Sequence, residues 1–148
     1  MAEVFFYHLT AQPLKTVLPQ LVAKGMERAL RMVVETSVPD NLASLSEMLW
    51  AAEDLSFIAH GLGEDDATQQ PLWLCAGPEN PNAATVRFYL DGAMPQSLEG
   101  LMRAVIMFQG EDEQALISAR NEWKKRKTEG HAISYWKQDE GGKWRNLA

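Results

Sequence analysis

Residues 4–16 read Val4-Phe5-Phe6-Tyr7-His8-Leu9-Thr10-Ala11-Gln12-Pro13-Leu14-Lys15-Thr16. The first six form an aromatic, apolar run of the kind that packs on a pleated surface, and they read as a strand, Val4–Leu9. Thr10–Pro13 carry turn chemistry. Beyond them Leu18, Leu21, Val22 and Met26 share one helical face, so a helix is predicted from Val17 to about Arg28. Pro19 suits only a first turn, which places the predicted start near Thr16. A strand, a turn and a helix open an α/β fold, and the turn decides which kind. A dinucleotide or P-loop site needs glycines there, so that the backbone can approach a phosphate. The turn TAQPLKT, residues 10–16, holds none.

Further along, strands alternate with helices. Arg31–Thr36 (RMVVET) reads as a second strand ending at the turn Val38-Pro39-Asp40. Leu42, Leu45 and Leu49 repeat at helical spacing, and Ser44 with Glu47 has the spacing of a capping box. Leu55–His60 is short and apolar, and Gly61–Gln70 is acidic and polar, a loop. Pro71–Ala76 and Thr85–Leu90 read as strands, and the turn residues between them predict a hairpin or a pair of close neighbours. Leu101–Phe108 fits a buried helix or a strand, and its Val-Ile-Met-Phe end favours the strand. Glu111 is expected to open a helix that runs to about Glu129 and stops at Gly130. Ile133–Gln138 is the last predicted strand. The pattern predicts one α/β domain over residues 1–148: a three-layer, Rossmann-like unit with a mixed, mostly parallel sheet and no phosphate-binding loop.

Composition narrows the function. The chain has 148 residues, 46% hydrophobic and 23% charged, enough for a core without disulfide or metal. Its formal charge of −6 is the wrong sign for a general duplex binder. No apolar run approaches the roughly 20 residues of a membrane span. The N-terminus lacks the basic and small-residue signature of a secretion signal, so a cytoplasmic compartment is the expectation. The single Cys75 excludes an internal disulfide. Within PLWLCAG it reads as a small core residue, with a thiol–histidine dyad as the other reading. His8, His60 and His131 show no metal-motif spacing. Glu64, Asp65 and Asp66 lie in the predicted loop and lack the glycine frame of a calcium site. No cofactor and no metal is predicted.

The last helix carries the chemistry. Between Arg120 and Lys127 stand five bases and one acid, a local +4 on a chain of −6. Arg120, Trp123, Lys124 and Lys127 fall at i, i+3, i+4 and i+7, one stripe of a helix. Ala115, Leu116, Ala119 and Trp123 form the adjoining apolar stripe, which sets Trp123 at the seam. Bases in the last turns also complement the helix dipole, so a plain surface helix fits the pattern too. The functional reading is a small anion-recognition surface beside an aromatic wall. A duplex binder contacts about 6–10 phosphates over a broad face. Four or five bases on one helix suit a short acidic peptide with a free carboxylate and one apolar residue.

The chain resembles the chi subunit of bacterial DNA polymerase III holoenzyme. The matching pieces are FFYHL at residues 5–9, Leu49-Trp50, Ser56-Phe57-Ile58-Ala59-His60, Ala119-Arg120-Asn121-Glu122-Trp123-Lys124, Gly130, and Tyr135-Trp136. The resemblance implies a non-enzyme with a nucleotide-binding-type fold that lacks the phosphate loop. It implies an adaptor that links the clamp loader, through the psi subunit, to single-stranded DNA-binding protein. The family holds that protein's acidic C-terminal tail, which ends in a Phe carboxylate. By the same resemblance Arg120, Lys124 and Lys127 hold the tail's carboxylates, and Trp123 and Phe57 wall the pocket for the terminal ring. A basic residue one turn before Arg120 in some members is Leu116 here, a loss that Lys125 or Arg126 could offset. The family's glycine before the second strand reads as Ala29, which leaves the local turn open.

Two other functions fit the sequence. A small nucleotide-binding or thiol-dependent α/β enzyme would use Cys75 or a histidine. Direct binding to single-stranded DNA would need a longer basic groove with stacking aromatics.

Overall fold

The computed structural model describes residues 2–10, 12–51, 60–63 and 65–147. Among them, eight strands form one sheet in the order β3-β4-β2-β5-β6-β1-β7-β8. In chain order the elements are β1 (Glu3–Leu9), α1 (Leu14–Glu27), β2 (Met32–Thr36), α2 (Leu42–Trp50), β3 (Gly61–Leu62), β4 (Leu72–Cys75), β5 (Val86–Leu90), β6 (Arg103–Gln109), α3 (Glu113–Thr128), β7 (Ala132–Gln138) and β8 (Trp144–Asn146). All pairs are parallel except β7 with β8.

Alternation along the strands divides the core. Met32, Val34, Leu72, Leu74, Phe88, Val105 and Met107 face α1 and α2, meeting Val17, Leu18, Val22, Leu45 and Leu49. Their neighbours Val4, Phe6, Ala104, Ile106 and Phe108 face the opposite way and meet α3 through Ala119, Leu116 and Trp123. Helices on both faces of a mostly parallel sheet are the three layers that the sequence predicts.

Several local expectations change. The strand over 72–75 and the strand over 86–90 are not neighbours: β2 lies between them, paired in parallel with each. Turn chemistry in the connecting segment reports a change of direction, not a partner, and parallel pairing around β2 buries both strands more deeply. α1 starts at Leu14, with Pro13 before it, so Pro19 sits inside the helix. It removes the bond to the Lys15 carbonyl, and the residue is buried. No side-chain cap holds the start of α2, which follows a short 3-10 turn, Pro39–Asn41, so the Ser44–Glu47 box does not form. α3 begins at Glu113, not Glu111. The predicted loop 61–70 contains the edge strand β3 and a 3-10 turn, Ala67–Gln69. β8 is an added strand, held by a turn in which Asp139 Oδ1 accepts from the Gly141 and Lys143 amides at 3.0 and 2.9 Å. The apolar stretch 55–60 lies outside the described residues except for His60.

Ala29 has φ 56°, the left-handed conformation at the end of α1, where the Leu30 amide bonds back to the Gly25 carbonyl at 3.0 Å. The turn that a glycine would occupy is therefore built with an alanine.

Candidate functional site

α3 begins where the Asp112 carboxylate accepts from the Ala115 amide at 3.2 Å, and it ends where Gly130 turns the chain at φ 89°. Ala119 is fully buried against the sheet and fixes the helix rotation. One turn later Trp123 leans over the rim, half-buried. The residues flanking it reach a hollow of about 460 Å³ between α3 and the β7–β8 edge. Arg120, Trp123 and Lys124 line it from α3; Tyr135, Lys137 and Leu147 line it from the C-terminal hairpin; His8 lines it from β1.

The convergence follows from register. His8 pairs with Lys137, and Phe6 with Tyr135, so the period of two turns Tyr135, Lys137 and His8 toward α3 together. The Leu147 amide donates to the Tyr135 carbonyl at 2.7 Å, which brings Leu147 to the same rim. His8 Nδ1 and the Tyr135 hydroxyl are 2.8 Å apart. A Cβ on Gly110 would come within 2.1 Å of His8 Nε2, so glycine leaves the space that the imidazole fills.

Among the described residues, no side-chain carboxylate lines the hollow. Burial, then the charges of Lys137 and Arg120, holds the His8 pKa below its ordinary value. Burial raises the Tyr135 pKa, and the Arg120 charge opposes it. The site is thus a cationic recess with an aromatic wall and an apolar rim, suited to a carboxylate next to an apolar group.

Of the residues predicted from sequence, Arg120, Trp123 and Lys124 come together at the hollow. Lys127 does not line it; its Nζ lies 4.5 Å from the Trp123 ring centroid and covers the indole. Phe57 lies outside the described residues. Arg126 does not offset Leu116. It is buried, donating to Glu122 Oε1 at 2.6 Å, Glu129 Oε1 at 2.9 Å and the Pro95 carbonyl at 2.6 Å. Sequence reasoning missed His8, Tyr135, Lys137 and Leu147. Alternation in β7 separates Tyr135 and Lys137 from their neighbours, but only the parallel pairing with β1 shows which side they take.

The other candidate groups stand apart. Cys75 is buried, its thiol pushed up to about 11 mainly by burial, and Sγ donates to the Gly77 carbonyl at 3.3 Å. That environment opposes thiolate formation. His60 Nε2 lies 2.8 Å from the Ser46 hydroxyl, and His131 Nε2 lies 3.4 Å from Glu129. Asp65 and Asp66 accept the Leu62 and Thr68 amides at 3.0 and 3.2 Å, as turn residues do. Among the described residues no helix is long and apolar enough to cross a membrane.

No curated protein matches the chain. The sequence model of the DNA polymerase III chi subunit, HolC, matches residues 1–134, ending inside β7, so Tyr135, Lys137 and Leu147 lie beyond the match. The matched stretch covers nearly the whole chain. The chain therefore belongs to the family of the DNA polymerase III chi subunit, HolC, an accessory subunit of DNA replication.

Proposed function

We propose that this chain is a non-catalytic, clamp-loader-associated subunit of DNA polymerase III holoenzyme whose recess beside Trp123 holds the acidic C-terminal tail of single-stranded DNA-binding protein. The observation that carries the reading is the convergence of Arg120, Lys124 and Lys137 on one hollow walled by Trp123 and Tyr135. The terminal carboxylate meets the Arg120 guanidinium, which grips it in two bonds, and the lysines attract the preceding acids. The terminal ring enters the hollow. Burying it contributes about 1.5–3 kcal/mol, and each charge-assisted hydrogen bond about 1.5–3 kcal/mol. Set against the cost of association, these give roughly micromolar binding. Phe57 enters as a second wall from the family resemblance. Residues 1–148 act as one unit, since Lys137 and Leu147 complete the recess. The psi subunit, where present, connects the chain to the clamp loader; association with single-stranded DNA is indirect, and the compartment is the cytoplasm.

Calorimetry with a synthetic acidic peptide ending in a free Phe carboxylate tests the reading. Micromolar binding that weakens at least about tenfold when the terminus is amidated, and loosens with salt, supports it. Equal affinity for acid and amide overturns it. A fluorescence titration with a single-stranded oligonucleotide alone is expected to show no saturable binding.

A further inference from the structure

His8 is the one histidine that lines the recess. It is 8% exposed, and its ring is 5.0 Å from Phe108 and 6.0 Å from Tyr135, with Nδ1 bonded to the Tyr135 hydroxyl. Among the described residues, the charged and titratable groups around it are Tyr135 and Lys137 from β7 and Arg120 and Lys124 from α3; β6 contributes the uncharged Phe108, and Gly110, just beyond β6, leaves the space for the ring. Among the described residues, no side-chain carboxylate lines the recess. Burial and these cations favour the neutral imidazole, because a proton would add a further positive charge beside Lys137 and Arg120.

A ligand carrying carboxylates changes that balance. Entering the recess, it neutralises Arg120 and Lys137 and sets negative charge over the imidazole. We propose that binding of a carboxylate-terminated acidic peptide is coupled to uptake of one proton by His8, so that the bound complex holds an imidazolium beneath the ligand's negative charge. The proton comes from solvent, adds to the ring nitrogen that is unprotonated in the neutral imidazole, and leaves when the peptide leaves. This inference rests on the tail-binding reading above.

The sign follows from linkage. In the free protein the His8 pKa lies below its ordinary value of 6.5, through burial and through Lys137 and Arg120. The bound carboxylates raise it. Affinity therefore increases as pH falls from the bound pKa toward the free one, by about tenfold for each unit of that rise. Carboxylates of the peptide itself titrate near pH 4 and do not enter this window.

The test is calorimetry with the acidic Phe-terminated peptide, acetylated at its N-terminus, between pH 8 and pH 6, in buffers of different ionisation enthalpy at pH 6.5. The expected results are an affinity about three- to tenfold tighter at pH 6 and a buffer-dependent heat that reports proton uptake. His8→Gln is expected to bring the ratio of the two affinities to about one, whatever its absolute affinity. If that variant does not fold, proton NMR of His8 in the unchanged protein replaces it, and its pKa is expected to rise on saturation with peptide. Binding that is independent of pH and buffer overturns the proposal while leaving the tail reading intact. PH dependence that survives in His8→Gln overturns it by assigning the proton to another group. No binding at any pH overturns both.

Discussion

Arg126 Nε donates to Glu122 Oε1 at 2.6 Å, one turn back along α3, and both side chains are more than nine-tenths buried. The densest cation run of the sequence is thus split by tertiary structure. Arg120 and Lys124 line the recess, while Arg126 ties the helix to the Pro95 segment. Arg126→Ala leaves the Glu122 charge and the Pro95 carbonyl without their donor. A loss of about 3–5 kcal/mol in urea unfolding is expected. A loss below about 1 kcal/mol would show that the pair contributes little.

Arg120 and Lys127 share one helical stripe but reach different places. Arg120 lines the hollow, whereas Lys127 covers the Trp123 ring at 4.5 Å. Arg120→Ala is expected to weaken an acidic Phe-terminated peptide by about 1.5–3 kcal/mol, and Lys127→Ala by only about 0.5–1 kcal/mol. Calorimetry on the two variants decides, and equal losses would contradict the distinction.

Ala29 holds a left-handed φ of 56° at the end of α1. An L-residue there costs about 1–2 kcal/mol that a glycine does not incur, offset in part by the greater unfolded-state freedom of glycine. Ala29→Gly is expected to raise stability by roughly 0.5–1 kcal/mol, read as a higher denaturant midpoint at unchanged slope.

Gly110 faces the His8 ring, and its substitution by alanine would place a carbon 2.1 Å from Nε2. The ring must move, and with it the bond to Tyr135. Gly110→Ala is expected to cost about 1–3 kcal/mol of stability and to perturb the His8 NMR signals. An unshifted His8 spectrum would mean that the backbone, not the ring, yields.

Cys75 is 4% exposed, with its pKa pushed up to about 11. The thiolate fraction at pH 8 is then about one in a thousand. A disulfide reagent is expected to leave the native thiol unmodified for hours at pH 8 and to label it promptly in denaturant. Rapid native labelling would reopen a reactive-thiol role.

The strands and helices were legible where side-chain periodicity is local. β1, β2, β6, α3 and β7 lie within a few residues of their predicted spans, because alternation and helical faces are written in neighbouring residues. The three-residue β8 was not legible. Its existence depends on the Asp139 turn and the free edge of β7, and neither leaves a pattern in WRN. The partnership of the strands over 72–75 and 86–90 failed for a related reason: adjacency in the chain does not specify adjacency in a parallel sheet.

The site divides in the same way. The helical repeat placed Arg120, Trp123 and Lys124 on one stripe beside an apolar seam, and the structure keeps them together at the recess. The same repeat could not distinguish Lys127, which covers an indole, from Arg126, which is drawn inward by Glu122.

By itself the amino-acid order determined an α/β chain of net charge −6, a first turn without glycine, and a basic, tryptophan-bearing last helix. Those properties are carried by composition and by spacings of two or of three to four residues. Only the tertiary structure decided that His8, Tyr135, Lys137 and Leu147 meet that helix across a hollow. Residues 127 positions apart come together because β1 and β7 pair in parallel register, through backbone hydrogen bonds that are the same for every side chain and so leave no mark in the sequence.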